Sequence, residues 1–261
     1  MSLDHGAGFV KSQTTTRDAF LGGRLAILQP KTGFRAGLDS ILLGASVAAH
    51  SRSLLDLGSG VGTAALAALS HNPALEARLA EQNPDMLALA NDNIVANDMA
   101  GRAATLALDV TAAGSARNAA GLKADYFSTV IANPPFFDAA GGTKAPEQGR
   151  AAARHMHDAD LDKWVRTAAA SAAPRGEVIF IYRADGLADL LAAFDARFGS
   201  LTLLPLVPRP GAEASRILLR GIKGSRGPLT IKSPLVLHGA EGHAFLPDID
   251  AIFRGNDVLH W

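Results

Sequence analysis

The sequence predicts an α/β fold: a doubly wound sheet, mostly parallel, with an antiparallel strand pair at its C-terminal end and a short N-terminal extension. Three observations predict it. From Ser53 onward, short apolar runs alternate with segments of helical spacing, the pattern of a parallel sheet covered by helices on both faces. The first of these runs ends in a glycine-rich turn that leads straight into a helical segment. The last two long apolar runs, "LTLLPLV" and "SRILLRGIK", follow one another with no helix between them, so they are expected to pair antiparallel.

The chain divides into three stretches. Residues 1–24 are expected to be a flexible N-terminus, polar and Gly/Thr-rich to about residue 20. Residues 25–50 form an extension with an extended start and a helical end, where Leu38, Ile41, Leu42 and Ala45 fall at helical spacing. Residues 51–261 hold the main domain, including the C-terminal antiparallel strands. Within it, "SLLDLGS" is a strand and turn, "TAALAALSH" a helix and "EARLAEQ" a second strand. Pro84 then sits where a first-turn proline belongs, and "DMLALANDNIVAND" continues that helix with Leu87, Ala90, Ile94 and Val95 on one face. "ATLALDV" is a third strand, followed by a polar loop. "YFSTVIANPPFF" is a fourth strand that stops at its prolines, because Pro has no N–H for a central ladder. "DADLDKWVRTAAASAA" is a helix capped by Asp158 or Asp160, "GEVIFIYR" a strand, "LADLLAAFDARF" a helix and "LTIKSPLVLH" a further edge strand.

Composition narrows the chemistry. The chain has 261 residues, 48% hydrophobic and 19% charged, which is globular rather than disordered. It has no cysteine, so disulfides, thiolate catalysis and Cys-ligated zinc are excluded. No secretory leader pattern and no membrane-spanning apolar run is visible, and the cytoplasm is the expected location. Net charge is zero, which argues against a large phosphate-binding surface. Between Leu201 and Lys232, however, Arg209, Arg216, Arg220, Lys223, Arg226 and Lys232 face only Glu213. That run is either a solvated hairpin face or a local phosphate-contacting patch. His155 and His157, with Asp158 and Asp160 following, lack a third ligand at defined spacing, so no metal is expected.

Four strand ends carry the candidate site. "DLGSGVGT" places Gly58, Gly60 and Gly62 at alternate positions after Asp56, a spacing unlike the G-x-G-x-x-G of dinucleotide binders. A carboxylate beside the loop suits a cationic sulfonium cofactor with an amino acid ammonium better than a pyrophosphate. Glu81, with its neighbour Gln82, ends the second strand, where an acid can accept both ribose hydroxyls. Asp109 ends the third, placed to accept from an adenine amino group, with Leu108 and Val110 beside the ring. The most specific signal is "NPPFF", which begins at Asn133. The Asn133 side-chain oxygen and the Pro134 carbonyl give two acceptors on a backbone stiffened by Pro134 and Pro135, and Phe136 offers a stacking face. Two fixed acceptors can draw the hydrogens of a conjugated amino group out of plane and aim its lone pair at a methyl donor.

With these residues together, from about Ser53 to Lys223, the chain resembles the Rossmann-like class I S-adenosylmethionine-dependent methyltransferases, and within them the N-P-P-F/Y amino-methylating branch. "QPKTGFRAGLDSILLGA", "SRILLRGIKGS" and "PLTIKSPLVLH" resemble the bacterial adenine-N6 methyltransferases of a valine tRNA. The resemblance implies S-adenosylmethionine held by Asp56, Gly58, Gly60, Gly62, Glu81, Gln82, Asp109, Val110 and Asn133. It implies a target base held by Asn133, Pro134, Pro135 and Phe136, and a nucleic-acid partner, tRNA. It further implies that Phe34, Arg35 and Asp39 cover the cofactor or guide substrate. The Ala/Gly-rich stretch from Asp138 to Asp160 departs from that family. Methylation of a guanine in rRNA, or of a glutamine side chain in a protein, keeps the same chemistry. A non-catalytic cofactor-binding protein is the third reading, disfavoured by the intact N-P-P-F.

Overall fold

A computed structural model describes residues 15–32, 35–135 and 160–261. The strands are β1 (Thr15–Phe20), β2 (Leu25–Pro30), β3 (Ser53–Leu57), β4 (Glu76–Glu81), β5 (Ala103–Ala107), β6 (Phe127–Ala132), β7 (Ala172–Arg183), β8 (Phe198–Val207), β9 (Arg216–Lys223), β10 (Thr230–Ile231) and β11 (Leu235–Val236). The helices are α1 (Leu38–Ala45), α2 (Thr63–His71), α3 (Pro84–Ala96), α4 (Gly114–Ala119), α5 (160–171), α6 (Leu187–Asp195) and α7 (Pro247–Phe253).

The main sheet runs β10-β8-β9-β7-β6-β3-β4-β5, with β11 also on β8. β9 lies between β7 and β8, antiparallel to both, and every other pairing in this sheet is parallel. The doubly wound sheet with an antiparallel pair near its C-terminal end is therefore the fold the sequence predicts. The expected edge strand "LTIKSPLVLH" is split into β10 and β11. Pro234 lies between them and cannot donate to the ladder.

Strand alternation feeds two cores. Leu54, Leu79 and Ile131 pack with α1, α2, α3 and α7 on one face. Leu55, Leu57, Val130 and Ala132 pack with α5 and α6 on the other. By the same parity Asp56 faces the α2 side. In α3 the buried face is Leu89, Ala90, Asn93 and Ile94. The expected face included Leu87 and Val95, but Val95 is 67% exposed, because the packed stripe runs through Leu89 and Asn93 instead. Asn83 caps α3, its side chain accepting from the N–H groups of Asp85 (2.9 Å) and Met86 (3.2 Å), and Pro84 occupies the first turn as expected.

The stretch to residue 24, expected to fray, contains β1, which pairs antiparallel with β2 from Thr15↔Pro30 to Phe20↔Leu25. What stabilises this hairpin is distant in sequence. Asn93 and Asn97, one turn apart on the α3 side, act as a substitute strand for the other edge of β2. Leu28 N–H donates to Asn93 Oδ1 (2.7 Å) and Asn93 Nδ2 donates to the Leu28 carbonyl (3.0 Å). Asn97 repeats this with Ala26, at 2.9 Å in both directions. The polar loop after β5 also differs from expectation, since it carries the short helix α4.

Candidate active site

The site lies at the carboxyl ends of β3, β4, β5 and β6, where open parallel sheets place ligands. A cleft of about 450 Å³ is lined by Ala36, Ser40 and Leu43 from the N-terminal extension, by Asp56, Gly58, Ser59, Gly60, Val61, Thr63 and Ala64 from the β3–α2 unit, and by Met86 and Asn133. Four of the expected site residues, Asp56, Gly58, Gly60 and Asn133, thus meet in one cavity.

The loop geometry explains the glycines. Gly58 (φ +64°) is in a conformation costly for other residues, and a Cβ there would lie 2.3 Å from Trp164 on α5. At Gly60 (φ +55°) a Cβ would meet nothing within 4 Å, so the backbone borders open space that a ligand can enter. Gly62 (φ +89°) is the left-handed residue that starts α2.

Glu81 braces this loop. Its Oε2 accepts from Gly60 N–H (2.9 Å) and its Oε1 from Asn83 N–H (2.8 Å). A carboxylate has about four acceptor positions, so both oxygens can still take a hydroxyl. Asp56 is 2% exposed. Burial pushes its carboxyl up from 3.8 to about 7; the Ala65 N–H (3.2 Å) pulls it down, and the charge of Glu81 raises it further. Asp109 is exposed, with Oδ1 accepting from both the N–H and the hydroxyl of Thr111 (2.8 Å each). Val110 is buried, its carbonyl accepting from Thr167 Oγ1 (2.7 Å). Gln82 is exposed at the end of β4.

Unmade hydrogen bonds mark where a ligand belongs. Among the described residues, seven buried side-chain polar atoms have no partner, and three of them, Ser59 Oγ, Thr63 Oγ1 and Asn133 Oδ1, belong to residues lining this cleft. A buried unpaired polar atom costs about 1–3 kcal/mol, so a cluster of them in a cleft is expected to be completed by water or a ligand. An amino acid ammonium, a sulfonium and a sugar fit a cavity with one buried acid, two unpaired hydroxyls and a glycine cradle. Ser59 and Thr63 were not singled out from the sequence, although both sit inside "DLGSGVGT".

Other expected residues lie elsewhere or have other partners. Pro134 is buried and Pro135 exposed, directly after Asn133. Phe34, Phe136, the stretch 138–159 and its histidines lie outside the described residues. Arg35 binds Asp18, Thr16 Oγ1 (3.0 Å) and the Pro30 carbonyl (2.9 Å), which ties the hairpin to the segment leading into α1. Asp39 pairs with Arg216 on β9 (2.9 Å). Asn93, buried and unanticipated, also donates to the Val61 carbonyl (3.0 Å), joining hairpin and glycine loop. The only sequence signal for it is a polar residue in an apolar helical face.

The family described as "Methyltransferase small domain" matches residues 37–159, the span that holds the glycine loop and N-P-P-F. The crystal structure of a predicted O-methyltransferase, protein Atu636 from Agrobacterium tumefaciens, superposes with a TM-score of 0.72 at 32% identity, covering 85% of this chain and 98% of that one. The chain belongs to this methyltransferase family. A tRNA1(Val) (adenine(37)-N6)-methyltransferase from Porphyromonas gingivalis is 29% identical to the methyltransferase over 239 residues, 87% of this chain and 90% of that protein. A release factor glutamine methyltransferase from Caulobacter vibrioides is 38% identical over 84 residues, 32% of this chain and 26% of that protein. No helix of the methyltransferase is long and apolar enough to cross a membrane among the described residues.

Proposed function

We propose that this methyltransferase uses S-adenosylmethionine to methylate the exocyclic amino nitrogen of an adenine in tRNA, and that it works in the cytoplasm. The observation that carries the reading is the buried, unpartnered Asn133 Oδ1 at the end of β6, in the same cleft as the glycine loop. When bound, the cofactor supplies an electrophilic methyl group on a cationic sulfur. Asp56, Ser59 and Thr63, with the backbone of Gly58, Gly60 and Gly62, hold its charged end; Glu81 and Gln82 its ribose; Asp109 and Val110 its adenine. Asn133 Oδ1 and the Pro134 carbonyl accept the two hydrogens of the target amino group, and Phe136 stacks on the base. A planar amino group meets these acceptors poorly and a pyramidal one meets them well, so their hold strengthens toward the transition state. The methylated nitrogen is strongly acidic and loses its extra proton without a dedicated base. The base must leave its stack to reach the cleft.

The relative that covers 87% of this chain supports a tRNA adenine as substrate. The shorter match to a glutamine methyltransferase supports a second reading, in which the same acceptors hold a side-chain amide. One experiment separates them: transfer from labelled cofactor to total RNA and to total protein, followed by digestion. Label in N6-methyladenosine from tRNA is expected. Label in guanine would change the base, and label confined to protein would overturn the reading.

A further inference from the structure

In a chain of zero net charge, the surface that meets RNA phosphates must be local. The linear run of cations is not that surface, because four of its six members are engaged within the protein. Arg209 holds the carbonyls of Gly239 (2.8 Å) and Gly242. Arg216 pairs with Asp39 (2.9 Å), and Arg220 stacks on Trp261 (4.6 Å) beside Glu177 (3.8 Å). Lys223 holds Asp125 and the carbonyls of Ala169 (2.6 Å) and Ala172 (2.8 Å).

A different group is more exposed to solvent. At the amino-terminal edge of the sheet, opposite the cleft, a shallow groove is lined by Ser53, Glu76, Arg78, Lys123, Tyr126 and neighbouring residues. Arg78 is exposed, donates to the carbonyl of its neighbour Ala77 (3.1 Å), and has no ion pair among the described residues. The Lys123 ammonium lies 4.1 Å from the centre of the Tyr126 ring, which is 45% exposed and braced edge-on by Phe127 at 5.0 Å. Arg52, one residue before β3, is exposed at the same edge. Glu76 is the one carboxylate in the lining. Asp56, Glu81, Asp85 and Asp109 lie toward the cleft end of the strands, and Asp125, next to Tyr126, pairs with Lys223.

We infer that this groove is a second contact for the RNA substrate, with Arg78 and Lys123 meeting phosphates and Tyr126 stacking an unpaired base. The inference rests on the tRNA reading above. A cation beside an exposed ring is the pairing that binds unpaired nucleic acid, through charge on the backbone and a π-face for the base. The strands between groove and cleft are five or six residues long, on the order of 17–20 Å, so one folded RNA can reach both ends. Contact at the far edge anchors the RNA body while the target base enters the cleft.

The test is tRNA binding and methylation by Arg78→Gln/Lys123→Gln and by Tyr126→Ala, with melting temperature and cofactor affinity measured in parallel. All three side chains are exposed, so both proteins are expected to fold and to bind cofactor as wild type. The double variant should lower the log–log salt slope of tRNA binding by about 1.4–1.8, two phosphate contacts. Tyr126→Ala should weaken tRNA binding at least about fivefold at unchanged salt slope. Both should raise KM for tRNA with little change in kcat. If wild type methylates tRNA and both variants match it in KM and salt slope, the groove assignment falls and the proposed function stands. If wild type labels protein and not RNA, the proposed function falls and takes this inference with it. If the double variant loses polyglutamate binding as strongly as tRNA binding, and Tyr126→Ala changes neither, the groove belongs to an acidic protein surface and the RNA assignment is overturned.

Discussion

The two ends of the same strands use the same residue types in opposite ways. At the amino end, the serine and threonine hydroxyls are matched inside the fold, while His71 Nε2 and Glu177 Oε2 are buried there without a hydrogen-bond partner. Ser51 Oγ and Thr129 Oγ1 share a 2.6 Å hydrogen bond, Ser128 Oγ receives the N–H groups of Arg52 (3.1 Å) and Ser53 (3.0 Å), and Asn72 Nδ2 binds the carbonyls of Ala49 (3.0 Å) and Ser51 (2.9 Å). At the carboxyl end, Ser59 Oγ, Thr63 Oγ1 and Asn133 Oδ1 are equally buried and have no partner. A hydroxyl therefore says little about function until its partners are counted. Groups matched within the chain stabilise the fold, whereas unmatched ones cost stability until water or a ligand meets them, and the cleft gathers three of them around one glycine loop.

The largest effect is expected at Asn133. Asn133→Ala should reduce single-turnover methyl transfer on the order of 100- to 1000-fold while cofactor affinity stays near wild type, because its acceptor acts mainly in the transition state. Asn133→Asp keeps an acceptor and should retain more activity. Transfer by Asn133→Ala at the wild-type rate would make the unpartnered oxygen incidental and erase the contrast between the two ends.

Asp56 sharpens the contrast through pH. Burial raises its folded-state pKa to about 7 from 3.8, so folding favours the protonated form. The associated stability is present in full below the unfolded pKa and is lost as pH rises from about 4 to about 7, where the carboxylate must ionise inside the protein; the loss approaches 4 kcal/mol at most. Asp56→Asn stays neutral throughout. Urea denaturation of the cofactor-free proteins should show the variant gaining on wild type across that window and holding its lead above it. A stability difference independent of pH between 4 and 8 would mean that the Asp56 carboxylate is not destabilised by burial.

Glu81 comes next, with a mixed role. Glu81→Ala should weaken cofactor binding by roughly 1–3 kcal/mol, measured by calorimetry, because it removes the ribose acceptor and also releases Gly60 N–H and Asn83 N–H. Glu81→Gln keeps one acceptor oxygen and should recover part of the loss. Undiminished affinity in a folded Glu81→Ala protein would exclude it from the site.

How much of this was legible in the sequence follows from how local each feature is. From β3 to β9 the order of strands and helices was legible apart from α4, since each follows from apolar periodicity over five to twelve residues, and so was the antiparallel pair, marked by the missing helix between β8 and β9. Asp56, Gly58 and Gly60 fall at the end of β3 and Asn133 at the end of β6, and the parallel pairing of these two strands brings them to one cleft. The β1–β2 hairpin was not, because its other edge is completed by Asn93 and Asn97, far along the chain. Nor was the fate of the basic run. Strand alternation and partners such as Asp39 and Trp261 decide whether an arginine faces solvent, and neither is visible in the run itself. The groove cations Arg78 and Lys123 were passed over for the converse reason, being single charges in separate segments that only the sheet brings together.

The smallest effect is the sharpest test of the comparison, because it exchanges one hydroxyl at each end. Ser51→Ala leaves buried Thr129 Oγ1 without its 2.6 Å partner and should destabilise the protein by about 1–3 kcal/mol, with cofactor affinity unchanged in the folded fraction. Ser59→Ala removes a buried oxygen that has no partner to strand, so unfolding free energy should stay within about 0.5 kcal/mol of wild type or rise slightly. Its cost should appear in ligand affinity instead, about 0.5–1.5 kcal/mol weaker cofactor binding, the net worth of one hydrogen bond. Chemical denaturation without cofactor and calorimetry with it give the two numbers for each variant. A crossed pattern, stability lost at Ser51 alone and affinity lost at Ser59 alone, is what an inward-matched end and a ligand-matched end require. If Ser59→Ala lowers stability as much as Ser51→Ala and leaves affinity alone, its hydroxyl serves the fold, and the carboxyl end loses one of the three unmatched atoms on which its assignment rests.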